Sequence, residues 1–329
     1  MRHEQWQRAL DAQIDTHKWS LSEFGIAMNK TVFESMLMGD ETFDRFPLDD
    51  SVSYTAEYLA RTIVPQTLHR GDTIYVTSDM LHLIMSAAND LPEDVCFDQH
   101  TMISKTGFVM FEETIVGGDR WGDPMAVDGL MWIVAPVRQK LSQPSELTGE
   151  VGIIIFFLVN PDNMSDHVNQ AVTPIMREKG VAVPPFVISH FYPAIDGLKV
   201  PNQDTTPGHE LVTRICKLFV AMHLIAHQKI GQPIQLRPDR ALRKRVQRYF
   251  DPNERLITVI TLRRKSVKKD NEEPGKVEWS RRWAVQGHWR HQYYPKSKTH
   301  DWVYIYEYIK GPEDKPFRPP DHRIFNFVR

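Results

Sequence analysis

The run Val151-Gly-Ile-Ile-Ile-Phe-Phe-Leu-Val159 is the longest apolar stretch in this chain of 329 residues. As a helix it would rise about 14 Å, well short of a hydrocarbon core of about 30 Å, so it does not read as a membrane span. Its β-branched and aromatic residues, with no polar alternation, predict a strand covered on both faces.

Working outward, residues 107–116, 129–136 and 185–192 are also rich in Val, Ile and Phe and are bounded by Gly, Pro, Asn or Asp, which predicts further strands. Residues 72–76 read as a short strand leading to Ser78, the expected N-cap of a helix carrying Met80, Leu81, Leu83, Ile84 and Ala87 before Pro92. Helical spacing recurs in Trp6, Ala9, Leu10 and Ile14, in residues 53–64, and in residues 209–230 up to Gly231. Strands and helices do not alternate regularly enough for a doubly wound sheet. The expected fold is therefore α+β, a mixed or antiparallel sheet packed with helices and followed by a smaller basic helix-and-sheet module. The Pro, Ser, Thr and Asn content of residues 201–207 places a boundary there: an acidic α+β domain over 1–205, then a helical connector and a basic aromatic-rich module over 206–329. Residues 40–50 read as an acidic loop and 265–275 as locally disordered.

The overall charge of −2 conceals a strong polarity. Residues 229–329 hold 24 of the 40 Lys+Arg but 12 of the 42 Asp+Glu, so they carry +12 while residues 1–228 carry −14. A segment so basic suits a polyanion, although the two halves can instead neutralise each other across an internal interface. The N-terminus, MRHEQWQRALDAQ, has no apolar targeting run, and the two cysteines, Cys96 and Cys216, fit a reducing compartment. A cytoplasmic protein without membrane contact is expected.

The basic part has its own pattern. Over residues 238–250 Leu242, Val246, Tyr249 and Phe250 share one helical face, while Arg240, Arg243, Lys244 and Arg248 share the other. A strand over 255–265 ends in Arg263, Arg264 and Lys265. Over 301–310, Trp302, Tyr304, Tyr306 and Tyr308 alternate with Val303, Ile305 and Ile309, so the aliphatic face is expected to pack on helices and the aromatic face to look outward. Rings beside cations form a platform on which each stacked base of a single strand is worth about 1–3 kcal/mol, although the same row can serve as a cross-strand ladder that stabilises the sheet or buries against the other domain. Between these strands lies Gly287-His288-Trp289-Arg290-His291-Gln292-Tyr293-Tyr294, where Gly287 allows a close backbone approach and Arg290 offers a planar fork to a phosphate. The leading expectation is nucleic-acid binding, with Arg243, Lys244, Arg263, Arg264 and Arg290 on phosphates and Trp302, Tyr304 and Tyr306 on bases. A second reading makes His288, Arg290 and His291 the acid, base and phosphate stabiliser of a metal-independent endoribonuclease. A third is a protein-binding or assembly protein that uses the acidic half as a partner or homodimer surface.

The segments GHWRHQYYP and WVYIYEYIKGPEDKP resemble the C-terminal signature of a family of uncharacterised proteins from actinobacterial genomes, plasmids and phages. DTIYVTSDMLHLIMSAANDLP before TGFVMFEETI, and RPDRALRKRVQRYF before ITVITLRRK, resemble the same family more loosely, so the similarity covers scattered blocks from about residue 70 onward. The resemblance implies an actinobacterial or phage cytoplasm and mobile-element biology. It carries over no catalytic residue.

Cys216, His223 and His227 fall on one face of the long helix and are soft donors suited to zinc, but no fourth ligand accompanies them and a core face is the better reading. No cofactor is expected, since phosphate-loop, dinucleotide and nucleophile-elbow patterns are all missing. Glu112 and Glu113 are adjacent on a strand and are expected to point to opposite faces.

Overall fold

The computed structural model describes residues 5–39, 56–95, 99, 102–118, 124–136, 151–163, 184–195, 209–228, 231–250, 256–262 and 281–317. Arg263, Arg264, Cys96, the acidic loop at 40–50 and the stretch 265–275 lie outside them. The fold is α+β. Its centre is a seven-stranded mixed sheet of β1 (Asp72–Val76), β2 (Thr106–Gly118), β3 (Pro124–Pro136), β4 (Val151–Val159), β5 (Val187–Ile195), β6 (Gly231–Leu236) and β7 (Ile257–Leu262), in the order β5-β4-β3-β2-β1-β7-β6. β1 runs parallel to both β2 and β7, and the other pairs are antiparallel.

Both faces of the sheet are covered, and this explains the uninterrupted apolar run of β4. Ile153, Ile155, Phe157 and Val159 face α4 (Ser78–Asn89) and α5 (His209–Ala226). Ile154, Phe156 and Leu158 face the opposite layer, where α2 (Glu23–Gly39) and α3 (Val64–Arg70) lie. Burying each such side chain stabilises the fold by about 1.5–3 kcal/mol, so one strand ties two helical layers together. At the other end of the sheet Tyr75, Ile257 and Val259 face α1 (Gln5–Ser20) and α6 (Arg240–Tyr249), which bury Trp6, Leu10, Ile14, Leu242 and Val246 against them.

Several elements depart from the sequence expectation for identifiable reasons. The second expected helix continues past Pro65 to Arg70, through a widened π-helical turn at Leu59–Ile63 that accommodates the missing proline N–H. β6 carries Pro233 and glutamines and gave no strand signal, yet it is an edge strand, where a proline is tolerated. Ser78 is not the cap of α4. Thr77 precedes the helix in extended conformation, and Glu112 of β2 accepts from the Ser78 N–H at 2.7 Å, a cap supplied by a residue distant in sequence. Pro238 precedes α6 without starting it: Asp239 is the N-cap and accepts from the Leu242 N–H at 2.8 Å. The sheet also runs through the expected boundary at 205/206, because β6 and β7 join β1. Separate from it are two small antiparallel sheets: β9 (His288–Tyr294) with β10 (Thr299–Ile305), and β8 (Trp283–Val285) with β11 (Tyr308–Lys310).

Candidate nucleic-acid interface

The residues 288–294 form a strand, not a loop, and the strand period decides which of their side chains meet. In the β9–β10 hairpin Tyr304 pairs with Trp289, Trp302 with His291 and His300 with Tyr293, so these six share one face. His288, Arg290, Gln292 and Tyr294 share the other. His288 and His291 therefore stand on opposite faces, and the three residues His288, Arg290 and His291 do not enclose a single phosphodiester. This removes the geometry that the ribonuclease reading needs.

The six-residue face runs from buried to open. At its base Tyr304 is 3% exposed, and its ring meets that of Trp289 edge-on at 5.3 Å. Its hydroxyl lies 3.3 Å from Ser86 Oγ, and Trp289 Nε1 donates to the Ala87 carbonyl at 2.8 Å, one of the orphan acceptors at the end of α4. Gln228, just beyond α5, clamps the backbone of β10: its Nε2 donates to the Trp302 carbonyl at 3.3 Å and its Oε1 accepts from the Tyr304 N–H at 3.0 Å. Gly287 makes the close approach expected of it, since a Cβ there would lie 2.3 Å from the Tyr304 hydroxyl. The expected orientation of β10 is thus inverted. The aromatic face packs on the helices because it buries more apolar area and its polar tips find partners there, while Val303 and Ile305 on the other face of β10 are half-buried and Ile309, on β11 of the second small sheet, is 59% exposed. Tyr304 cannot stack a base in this position. Trp302 and Tyr306 are half-buried against the same core, and burial together with the adjacent Glu307 raises the Tyr306 hydroxyl pKa.

Beyond the base the hairpin opens to solvent. His291 stacks on Trp302 with ring centroids 4.7 Å apart and planes 21° apart, His300 follows at 4.8 Å from His291, and Tyr293 lies 4.8 Å from His300. Tyr293 and Tyr294 are 45% and 41% exposed. Lys296 and Lys298 are exposed in the turn that follows them and Arg290 is exposed further back along β9, on the face it shares with Tyr294; among the described residues none of the three reaches a carboxylate. Asp301 is the single acidic residue from His288 to Ile305. Sequence reasoning named Arg290 and the segment that holds Tyr293 and Tyr294, but assigned stacking to Trp302, Tyr304 and Tyr306 instead and missed Lys296 and Lys298. The signal was the Tyr-Tyr-Pro-Lys-Ser-Lys turn, with Lys298 at φ 57°, between two alternating segments.

The other expected cations stand elsewhere. α6 turns Leu242, Val246 and the adjoining Phe250 inward, together with α1, on the sheet face opposite the one on which Tyr304 packs. Arg240, Lys244 and Arg248 are exposed, and the Arg243 Nε donates to the Asp239 carbonyl at 3.4 Å. Arg245 grips Asp11 and, at 2.7 Å, Asp15 of α1, so part of the basic segment does neutralise the acidic half. The expected single surface of rings and cations is split by the sheet into two.

The zinc-type trio also dissolves. Cys216 is fully buried, which pushes its thiol pKa up, and His223 is buried among Phe219 and Trp132 with its Nδ1 accepting from the Ile103 N–H at 3.2 Å. His227 is exposed. Among the described residues no group of three His, Cys, Asp or Glu is placed to hold a metal. A register shift in β2 between Met110 and Ile115 brings two further residues together against expectation: Glu112 meets Ser78 while Glu113 meets His82 at 3.1 Å, so both carboxylates face α4.

No helix of the described residues is long and apolar enough to cross a membrane. No family model and no curated protein matches the sequence. Among solved structures, the crystal structure of AcrVA2 aligns with 92% of this chain and 93% of that chain, at 12% identity and a TM-score of 0.35. At that degree of likeness the two chain paths diverge too far for residues to be equated.

Proposed function

We propose that this protein binds nucleic acid through the open half of the β9–β10 hairpin. The observation that supports this reading is the run, along the exposed strand β9 and the turn that follows it, of three cations without a carboxylate partner among the described residues and two exposed tyrosine rings: Lys296 and Lys298 in the turn, Arg290 and Tyr294 on one face of β9, Tyr293 on the other. Arg290, Lys296 and Lys298 neutralise phosphates, and Tyr293 and Tyr294 supply the π-faces that the buried Tyr304 cannot. The imidazoles of His291 and His300 stiffen the ladder by stacking between Trp302 and Tyr293, which presents the Tyr293 ring with little rotamer entropy left to lose.

The test is fluorescence anisotropy of the full chain with labelled single- and double-stranded DNA and RNA at stepped salt. Each phosphate contact contributes a log–log slope of about −0.7 to −0.9. Substituting Arg290, Lys296 and Lys298 together by Ala should therefore flatten the slope by about 2 to 3 and weaken binding at every sequence. Tyr293→Ala should cost about 1–3 kcal/mol on single strands if the ring stacks a base. Binding that is undetectable, or insensitive to both salt and these substitutions, refutes the reading.

A further inference from the structure

We infer that α6 is a second, separate nucleic-acid site and that the protein bridges two nucleic-acid segments; this rests on the binding reading above. Arg240, Lys244 and Arg248 recur every fourth residue along α6, all exposed, and among the described residues none meets a carboxylate. The opposite side of the helix is anchored: Leu242 and Val246 are buried with Phe250 and Trp6, and Arg245 is fixed by Asp11 and Asp15. The stripe is thus held rigidly outward. Lys18 lies over the Tyr249 ring at 4.0 Å but is paired with Asp15 at 3.4 Å, so it does not extend the stripe.

The position of this stripe relative to the hairpin decides the function. α6 packs with α1 on the face of the sheet formed by Tyr75, Ile257 and Val259, whereas Trp289, Trp302 and Tyr304 pack with α4 and α5 on the face formed by Ile74, Val76 and Ile260. A helix layer about 10–12 Å across covers each face, so the two charged surfaces are more than about 20 Å apart, against a screening length of about 8 Å in physiological salt. Their fields do not merge. A short straight segment bound to the hairpin does not reach α6, and each surface is left to take its own segment.

The experiment uses the full chain, a biotinylated duplex of about 40 base pairs on beads, and a fluorescent duplex of unrelated sequence in solution. The wild-type protein should carry the fluorescent duplex onto the beads. The triple variant Arg240→Glu, Lys244→Glu, Arg248→Glu should lower that capture at least tenfold while changing single-duplex binding by less than about threefold. All three side chains are exposed, and an unchanged melting temperature verifies the fold. Capture that survives in the variant, as bridging by two hairpins of a dimer would give, overturns the inference. So does a wild type that binds one duplex and captures none, or a variant that loses single-duplex binding in step with capture, which is the mark of one shared surface. A wild type that binds no duplex, single strand or RNA at all overturns the underlying proposal as well.

Discussion

Replacing His223 by glutamine tests the account of the α5 core. The imidazole is pushed down to a pKa of about 3 by burial, with a smaller contribution from His227. In the unfolded chain a histidine titrates near 6.5, so above that pH neither state holds the proton and the residue contributes no pH dependence. As pH falls below about 6.5 the unfolded state takes up a proton that the folded state refuses, and stability is lost progressively until the pH nears the folded value. Between pH 7 and pH 5 this linkage removes about 2 kcal/mol. A glutamine oxygen can still accept from the Ile103 N–H but does not titrate. Repacking beside Trp132 and Phe219 will cost the variant stability at both pH values, so the informative quantity is the change with pH. Denaturant unfolding followed by circular dichroism at pH 7 and pH 5 should show the wild type losing about 2 kcal/mol more than His223→Gln over that interval. Equal losses in the two proteins would mean that His223 is reached by water or protonated in the folded state, and the reasoning would fail.

Two further outcomes follow from the packing. Tyr304→Ala removes the ring that seats the hairpin on α4 and should cost about 3–5 kcal/mol, or free the hairpin without unfolding the sheet; limited proteolysis should then cut within residues 286–317 while the wild type resists. Gly107→Ala should be strongly destabilising, at the upper end of the 1–3 kcal/mol typical of overpacking or about that figure again, because the new Cβ would lie 2.2 Å from the buried Trp132 ring directly opposite on β3; equilibrium unfolding measures it, and a loss below about 0.5 kcal/mol would contradict the close approach.

What the sequence alone determined was whatever depends on near neighbours. Period-2 and period-3.6 spacing placed β1 to β5, β7, α1, α4, α5 and α6, because burial on one or both faces leaves its mark on consecutive residues. The charge polarity of the two halves and the basic stripe of α6 were legible for the same reason. α2 was missed, and β6 escaped notice because an edge strand needs no apolar face and tolerates Pro233.

Only the tertiary structure decided which face of the β9–β10 hairpin is hidden and what each surface can do. Alternation showed that Trp302 and Tyr304 share a face with each other. It could not show that this face lies on α4, since that depends on Ala87, Ser86 and Gln228, far away in the chain. Glu112 and Glu113 converge on α4 only because a register shift breaks the local period. The separation of α6 from the hairpin follows from β7 joining β1, a pairing of strands more than 180 residues apart, which sets the two basic elements on opposite sides of one sheet. Periodicity reports how a segment divides its own faces, whereas the partner that covers each face is chosen by the whole chain.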